Sequence, residues 1–231
     1  MFCLPSVAQD KPRRLLGADI SMLPKYEEKN TVYRDADGKA VDALSFFKES
    51  GWNAARVRLF VNPDKAPEHN KEEGVCQDIP YVAKFGKQIK DAGMQFMLDF
   101  HYSDTWADPG KQWTPAAWAS LDDNALARKL YSYTKDSLAQ LKAAGAEPDM
   151  IQTGNEISYG MMWGQPTDAG SRLKRCWPSS PADNWTRFTN LLKQATKACR
   201  EECPDAKIIP QVERTSVSQQ NENKNYSAHS N

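Results

Sequence analysis

Two side chains that could take part in catalysis follow one another at the end of a short apolar run. Asn155 and Glu156 come directly after Gly154 in the segment IQTGNEI, residues 151–157. A carboxylate at a strand end can act as general acid and base, and a neighbouring Asn can hydrogen-bond a sugar hydroxyl. Glycoside hydrolysis uses this combination. Taken alone, the tripeptide is weak evidence, because it also fits an ordinary turn after a strand.

Charged residues also stand at the ends of two earlier apolar runs. Arg58 lies within RVRLFVNP and His101 within DFHYSDTWADP. A cation beside carboxylates lowers the pKa of a nucleophile, whereas burial raises the pKa of an acid. Each residue also has a simpler interpretation, a structural ion pair for Arg58 and a packed core histidine for His101. Their recurrence at strand ends that would share one mouth favours a site.

Four tryptophans lie close in sequence to these residues. Trp106, Trp113 and Trp118 follow His101 in one long loop, and Trp163 follows Glu156. An indole ring can stack on the apolar face of a sugar without reading charge. We expect some of the four to form such platforms and the others only to pack their loops.

The elements that must position these residues alternate regularly between strand and helix. Apolar periodicity predicts strands over 15–21, 53–61, 94–101, 150–157 and 207–214, and helices over 42–50, 79–92, 124–144 and 183–202. Asp183 is the expected N-cap of the last helix. Pro210 weakens the last strand, because proline cannot donate a hydrogen bond to a sheet. The alternation predicts an α/β fold built from βαβ units around a parallel sheet.

The loop lengths favour a barrel over an open sheet. The strand-to-helix connections are long and carry the unusual residues, as in (β/α)8 barrels, whose active sites lie at the C-terminal ends of the strands. A doubly wound open sheet has the same alternation, so periodicity leaves both folds open. No GxGxxG follows the first strand and no GxxxxGK[ST] occurs, which disfavours nucleotide-binding folds.

Composition limits the classes of partner. The chain has 231 residues, of which 40% are hydrophobic and 26% charged, enough for one domain with a sizeable core. Thirty basic and thirty acidic residues give a formal net charge of zero, which disfavours nucleic acid and anionic membrane surfaces as partners. No stretch approaches the roughly 20 apolar residues of a transmembrane helix.

The five cysteines do not indicate a metal site, because they form no CxxC pair and match no histidine cluster. Cys199 and Cys203 lie four residues apart near the end of a predicted helix. A strained disulfide and two free thiols both fit this spacing, and we prefer free thiols.

Four motifs together resemble one known family. GADIS (17–21), RVRLFVNP (56–63), DFHYSDTWADPGKQW (99–113) and QTGNEISYGMMW (152–163) are similar, in this order, to the endo-β-1,4-galactanases of glycoside hydrolase family 53. The resemblance covers residues 15–214. It implies a retaining, endo-acting hydrolase of clan A on a (β/α)8 TIM barrel, which cleaves β-1,4-galactan side chains of pectic arabinogalactan.

The resemblance also implies roles for individual residues. Glu156 matches the general acid/base, and Asn155 matches the residue that contacts the sugar 2-hydroxyl. The other positions expected to support the site or bind substrate are Asp19, Arg58, His101, Trp106 and Trp163. No cofactor and no metal are expected for these residues, although a structural calcium elsewhere in a complete barrel stays open.

One catalytic residue of the family has no counterpart in the predicted strands. The nucleophile is a Glu on the seventh strand, and only five strands are predicted here, so we expect it beyond residue 231. Glu213 is the only predicted strand-end carboxylate after Glu156, and it is a weak substitute. A complete barrel needs about 250 residues. We therefore expect an incomplete barrel over residues 11–214, and no galactanase activity from these 231 residues alone.

The two ends of the sequence differ in composition from the rest. Residues 1–10, MFCLPSVAQD, predict the remnant of a signal peptide, and hence a secreted, periplasmic or cell-surface protein. The alternative is a disordered N-terminal extension of a cytosolic protein. Residues 215–231 have few apolar side chains and predict a disordered tail. Two alternatives to a hydrolase remain: a galactan-binding remnant that does not cleave, and an inactive truncated product. The oligomeric state stays open.

Overall fold

A computed structural model describes residues 14–213, which form one parallel sheet flanked by helices. The sheet has five strands in the order β1-β2-β3-β4-β5, and every neighbouring pair is parallel. The strands are β1 (Gly17–Asp19), β2 (Ala54–Leu59), β3 (Gln95–Phe100), β4 (Met150–Thr153) and β5 (Lys207–Ile209). Sequential order with helical crossovers is the arrangement of a (β/α) barrel rather than of a doubly wound sheet.

Six α-helices occur within the described residues. They are α1 (Leu23–Glu28), α2 (Ala43–Glu49), α3 (Glu68–Glu72), α4 (Ile79–Asp91), α5 (Asp123–Ala143) and α6 (Ala182–Glu202), with 3-10 turns at Pro63–Lys65, Ala116–Trp118 and Ser171–Lys174. The four predicted helices correspond to α2, α4, α5 and α6. Helices α1 and α3 were not predicted, because five or six residues are too few to show a helical period.

Several details of the predicted elements are wrong. Strand β1 spans only Gly17–Asp19 instead of residues 15–21. Strand β5 stops at Ile209 instead of reaching residue 214, and Pro210, which has no N–H for the ladder, follows at once. Strand β4 stops at Thr153 instead of residue 157, because Gly154 turns the chain with a φ of 101°. Asp183 is not an N-cap: α6 begins one residue earlier, and Asp183 lies in its first turn, where a carboxylate favours the helix dipole.

The sheet buries one face against the helices. The side chains on this face are fully buried and apolar, and include Val57, Leu59, Phe96, Leu98 and Ile151. The helices that cover the face are fixed at their N-termini. The side chains of Asp42, Asp78 and Asp122 cap α2, α4 and α5 by accepting backbone N–H groups at 2.7–2.9 Å. The core therefore lies between the sheet and the helices and holds the strands in register.

The opposite face of the sheet is the one that would line a barrel. Gly17, Ala54, Met97 and Met150, in the first halves of β1 to β4, and Ile209 of β5 lie around a cavity of about 270 Å³. Towards the strand ends the same face becomes polar, because alternate residues share a face. The register places Asp19 beside Arg56, Arg58 beside Asp99, and Asp99 beside Gln152. The polar residues of all four motifs are therefore neighbours across the strands.

Several other predictions concern features away from this face. Cys199 and Cys203 are free thiols in the structure, the second of the two alternatives. Over residues 14–213 no helix is long and apolar enough to cross a membrane, and no cluster of three His, Cys, Asp or Glu side chains is arranged to hold a metal ion. The predicted N-terminal remnant (1–10) and C-terminal tail (215–231) lie outside the described residues.

Candidate active site

Arg56 links the polar residues at the C-terminal end of the sheet. Its guanidinium donates to Asp19 Oδ2 at 2.6 Å, to Asp99 Oδ2 at 2.5 Å and to Asn155 Oδ1 at 2.8 Å. Arg56 Nε also donates to Gln152 Oε1 at 3.3 Å. These contacts connect β1, β2, β3 and the loop after β4. A planar guanidinium with five N–H donors suits such a bridge, whereas the single ammonium of a lysine would not reach all the acceptors.

Asp19 is held as a charged carboxylate by two arginines. Arg58 donates through Nη2 to Oδ1 at 2.8 Å and through Nε to Oδ2 at 3.0 Å, in a two-pronged contact. Burial by itself would raise the pKa of Asp19, but the hydrogen bonds and charge of Arg58, the hydroxyl of Ser21 and the charge of Arg56 together hold that pKa below its ordinary value. Asp19 therefore stays anionic and fixes both arginines.

Asp99 and His101 form the buried side of the same network. Asp99 is completely buried, and its Oδ1 accepts from Gln152 Nε2 at 2.5 Å. The Nδ1 atom of His101 accepts the backbone N–H of Ala107 at 3.0 Å, so in the neutral imidazole the proton is on Nε2. Nε2 lies 3.2 Å from Asp99 Oδ2. The backbone of the loop after β3 therefore orients His101 so that Nε2 faces a buried carboxylate.

Asn155 is fixed by hydrogen bonds on both sides of its amide. Oδ1 accepts from Arg56, as described above, and from Gln152 Nε2 at 3.3 Å, while Nδ2 donates to the carbonyl of Ala107 at 2.7 Å. The loop after β3 and the loop after β4 are thereby joined at the mouth. The side chain has a set orientation next to Glu156.

The backbone at Glu156 is in an unusual conformation. Gly154 has a φ of 101°, and Glu156 has a φ of 51°, in the left-handed region that side chains other than glycine rarely adopt. A Cβ atom added at Gly154 would lie 2.6 Å from Cγ2 of Ile157, so only glycine fits there. A left-handed residue costs about 1–2 kcal/mol and persists where the surroundings enforce it, often at active sites.

The environment of Glu156 favours the protonated carboxyl. Burial raises its pKa above the ordinary value for glutamate, and the negative charges of Asp108 and Glu213 raise it further, while His101 and Arg56 act in the opposite direction. A general acid must be protonated before it donates, so a raised pKa suits that role. Asp19 and Glu156 are thus two carboxyl groups of one site with pKa values shifted in opposite directions.

Of the four tryptophans predicted as possible platforms, Trp106 lies at the site beside Arg58, whereas Trp118 and Trp163 are buried. Trp106 is partly exposed, the guanidinium carbon of Arg58 lies 4.6 Å from its ring centre, and Phe60 meets it edge-on at 5.4 Å. Trp163 is completely buried, donates from Nε1 to the carbonyl of Tyr159 at 3.0 Å and packs against Arg175. It has no face open to a sugar, so the geometry favours packing for Trp163.

Glu213 does not stand at a strand end. It lies four residues beyond the last residue of β5, is exposed, and its backbone N–H donates to Ser158 Oγ at 2.9 Å. Its charge acts on Glu156 by raising the pKa of that residue. These facts leave Glu213 a neighbour of Glu156 rather than a carboxylate aimed from an opposing strand.

Arg56, Asp99 and Gln152 were not singled out from the sequence. All three lie inside the motifs, and Arg56 and Asp99 are each two residues before a residue that was chosen, Arg58 and His101. Because residues i and i+2 of a strand share a face, the two-residue spacing in RVR and DFH was a signal for both. Gln152 lacked such a signal, since a lone glutamine in a strand has many uses.

The fold and the site together define a class. A parallel sheet in sequential order, with a carboxyl group of raised pKa, fixed arginines and a partly exposed tryptophan at the C-terminal ends of its strands, is characteristic of (β/α)8-barrel glycoside hydrolases. Residues 15–229 match the family model described as glycosyl hydrolase family 53. The chain belongs to this family, and the five strands with their helices form part of its (β/α)8 barrel. The match extends beyond residue 214, where the motif resemblance ended.

Named relatives agree with this assignment. An arabinogalactan endo-β-1,4-galactanase of Cellvibrio japonicus is 38% identical over 187 residues, which are 80% of this chain and 45% of the relative. Among solved structures, the GH53 catalytic domain of Ignisphaera aggregans superposes with a TM-score of 0.71 and 35% identity over 85% of this chain and 50% of that one. A structure of fungal β-1,4-galactanases gives 0.69 and 32%, covering 85% of this chain and 52% of that one. The chain spans about half the length of the relatives it matches.

Proposed function

We propose that the site is the acid/base and substrate-binding part of a retaining, endo-acting β-1,4-galactan hydrolase. Glu156 would protonate the glycosidic oxygen as the bond to the anomeric carbon breaks. It would then take a proton from the water that releases the sugar from the covalent intermediate. The nucleophile that forms this intermediate would be a carboxylate outside residues 14–213. The named galactanases among the relatives support galactan as the substrate.

One observation carries the proposal: a carboxyl group with raised pKa stands beside Asn155 at the mouth of a family 53 barrel. Neighbouring residues fit the same chemistry. The Asn155 amide has a second N–H besides the one that it gives to Ala107, and this N–H could donate to a sugar hydroxyl. Trp106 offers a partly exposed ring beside Arg58. Asp19, Arg58 and His101 would keep this surface rigid and set its charge.

Binding without cleavage is the second candidate. One observation favours it. Asp108 and Glu213 are the described carboxylates whose charges raise the pKa of Glu156, and both lie on loops and not on an opposing strand. A retaining enzyme needs two carboxyl groups about 5–5.5 Å apart across the substrate. The two candidates share the binding surface and differ only in turnover.

Binding and turnover are best measured on the same preparation. Calorimetry with β-1,4-galactotetraose should detect binding that is weakened by Trp106→Ala. Cellotetraose is the control, because it has the same β-1,4 linkage but is built from glucose. Release of reducing ends from β-1,4-galactan is then followed with and without Glu156→Gln. If neither binding nor release is seen, the proposal is wrong. Release that is lost in Glu156→Gln would place the nucleophile within the 231 residues and contradict its expected position beyond them.

Two further expectations belong to the same proposal. Two carboxyl groups suffice for the chemistry, so we propose hydrolysis without a cofactor, which predicts that a chelator leaves turnover unchanged. A polymeric substrate outside the cell and the composition of residues 1–10 support secretion, periplasmic location or attachment to the cell surface. Fractionation of the native host into cytoplasm, envelope and medium would test the location.

A further inference from the structure

We propose that Gln112 and Gln211 are positioning residues that hold the two ends of one peptide bond, the bond between Asn155 and Glu156. This inference deepens the proposed function and rests on it, since the held peptide carries the general acid. Neither glutamine was among the candidate residues of the sequence. They come from different loops, one after β3 and one after β5, and meet the same peptide from opposite sides.

Gln112 holds the carbonyl end. Its side chain is buried, and Nε2 donates to the carbonyl oxygen of Asn155 at 2.7 Å and, more distantly, to that of Glu156 at 3.3 Å and of Asp108 at 3.2 Å. The backbone carbonyl of Gln112 in turn accepts the N–H of Trp163 at 2.7 Å. Gln112 therefore ties the segment around Glu156 to the loop after β3.

Gln211 holds the N–H end. Its side-chain Oε1 accepts the backbone N–H of Glu156, and its own backbone carbonyl accepts the N–H of Ile157 at 3.0 Å. Gln211 follows Pro210, where the fifth strand has ended, so its carbonyl is no longer used by the sheet. One residue thus makes two hydrogen bonds to successive amides, one through its side chain and one through its backbone.

The conformation of Glu156 explains why both ends need a partner. The chain leaves the sheet after Thr153, so this peptide has no strand neighbour, and buried peptide groups without partners are costly. Glu156 also has a φ of 51°, which its surroundings must enforce. A glutamine amide provides a donor for a carbonyl and an acceptor for an N–H. Fixing this peptide plane fixes the direction in which the Glu156 side chain leaves the backbone.

Amide hydrogen exchange of the folded protein tests the inference without requiring turnover. In Gln211→Met, the Glu156 amide loses its acceptor and should exchange about tenfold faster. The Ile157 amide should keep its rate, because its acceptor is the backbone carbonyl of residue 211. Gln88→Met, at an exposed position on α4, is the matched control and should change neither rate.

Two more variants separate positioning from general destabilisation. Gln112→Met should also speed exchange of the Glu156 amide, although Gln112 does not touch that N–H, because the peptide plane is released at its other end. Gln211→Glu retains an acceptor oxygen and should restore slow exchange. If Gln211→Met does not fold, Gln112→Met and Gln211→Glu still allow the comparison.

Titration of the Glu156 carboxyl by carbon-13 NMR separates positioning from a merely structural role. A structural role alone would not shift the pKa of Glu156 in opposite directions in Gln211→Met and Gln211→Glu. In the wild type its pKa should be above the ordinary value, because of burial. Gln211→Met should lower this pKa as the carboxyl gains access to water. Gln211→Glu should raise it, because a second carboxylate then lies beside it. Gln88→Met should leave it unchanged.

The outcomes distinguish the inference from the proposed function. Unchanged Glu156 exchange in both Met variants, or equal acceleration at Ile157, would overturn the inference, as would the same direction of pKa shift in Gln211→Met and Gln211→Glu. The wild type is also tested for binding of β-1,4-galactotetraose. Absence of binding together with the expected exchange pattern would refute the proposed function and leave the held peptide established.

Discussion

Replacing Arg56 by Met removes the guanidinium on which the site network depends while keeping most of the aliphatic volume. The completely buried Asp99 would lose its 2.5 Å partner and retain the contacts with Gln152 and His101. Asp19 would still have the two-pronged contact with Arg58. The main cost is therefore a buried carboxylate that has lost its strongest compensating charge.

The magnitude follows from the burial of the two partners. Removing one partner of a buried ion pair costs about 3–5 kcal/mol. The side chain of Arg56 is 23% exposed and that of Asp99 is 0% exposed, so water can replace the guanidinium only in part. We expect a loss of about 3 kcal/mol in the free energy of unfolding, at the lower end of the range.

Urea unfolding at pH 7, followed by circular dichroism and tryptophan fluorescence, measures this loss. Lys87→Met is the control, because it removes an exposed ion pair with Asp91 and should cost less than about 0.5 kcal/mol. The double variant Arg56→Met with Asp99→Asn should recover part of the loss, because the unpaired charge is gone. A loss below about 1 kcal/mol in Arg56→Met, or no recovery in the double variant, would refute this account of the network.

Three further predictions concern the backbone, the charge and the binding surface of the site. Gly154→Ala should cost about 2 kcal/mol in urea unfolding, because its φ is 101° and the new methyl group would meet Ile157 at 2.6 Å; a loss below about 0.5 kcal/mol would contradict this. Because the folded-state pKa of Asp19 is lowered, its contribution to stability is present above the unfolded value near 3.8 and is lost as pH falls below it. Asp19→Asn should therefore flatten the acid side of the stability curve, and an unchanged curve would count against it. Trp106→Ala should weaken β-1,4-galactotetraose binding about fivefold, since stacking is worth about 1 kcal/mol, whereas the exposed Phe46→Ala on α2 should not; equal effects would argue against a platform.

The sequence predicted the architecture because its two periodicities are clear. Strands β2, β3 and β4 begin within one residue of their predicted starts, and the helix ends at Gly51, Gly93 and Gly145 follow from the need for a left-handed residue after each helix. The errors lie where local signals were absent or misjudged. Pro210 was recognised as a residue that weakens the last strand, but the strand was still predicted to continue past it. The strand ends before Pro210, because proline has no N–H to donate to the neighbouring strand.

The site was predicted only in part, for a physical reason. Glu156, Asn155, Arg58, His101 and Asp19 were chosen by residue type and by resemblance, and the structure places them at one end of the sheet. Several of the residues that organise them, such as Gln152 and the two glutamines at the Glu156 peptide, contribute hydrogen bonds between segments far apart in sequence. Such contacts leave no periodic pattern. Trp163 shows the converse, because an aromatic residue near an active site has the same sequence signal whether it is buried or open.

We propose Glu156 as the general acid/base of a site that binds β-1,4-galactan. The most direct test of this proposal is an NMR titration of isotope-labelled protein with β-1,4-galactotetraose, with the Glu156 and Asn155 amides and the Glu156 carboxyl as reporters. We expect saturable shifts at these groups that cellotetraose does not reproduce at the same concentration. Unchanged Glu156 signals in the presence of bound galactotetraose, or no binding at all, would contradict the proposal.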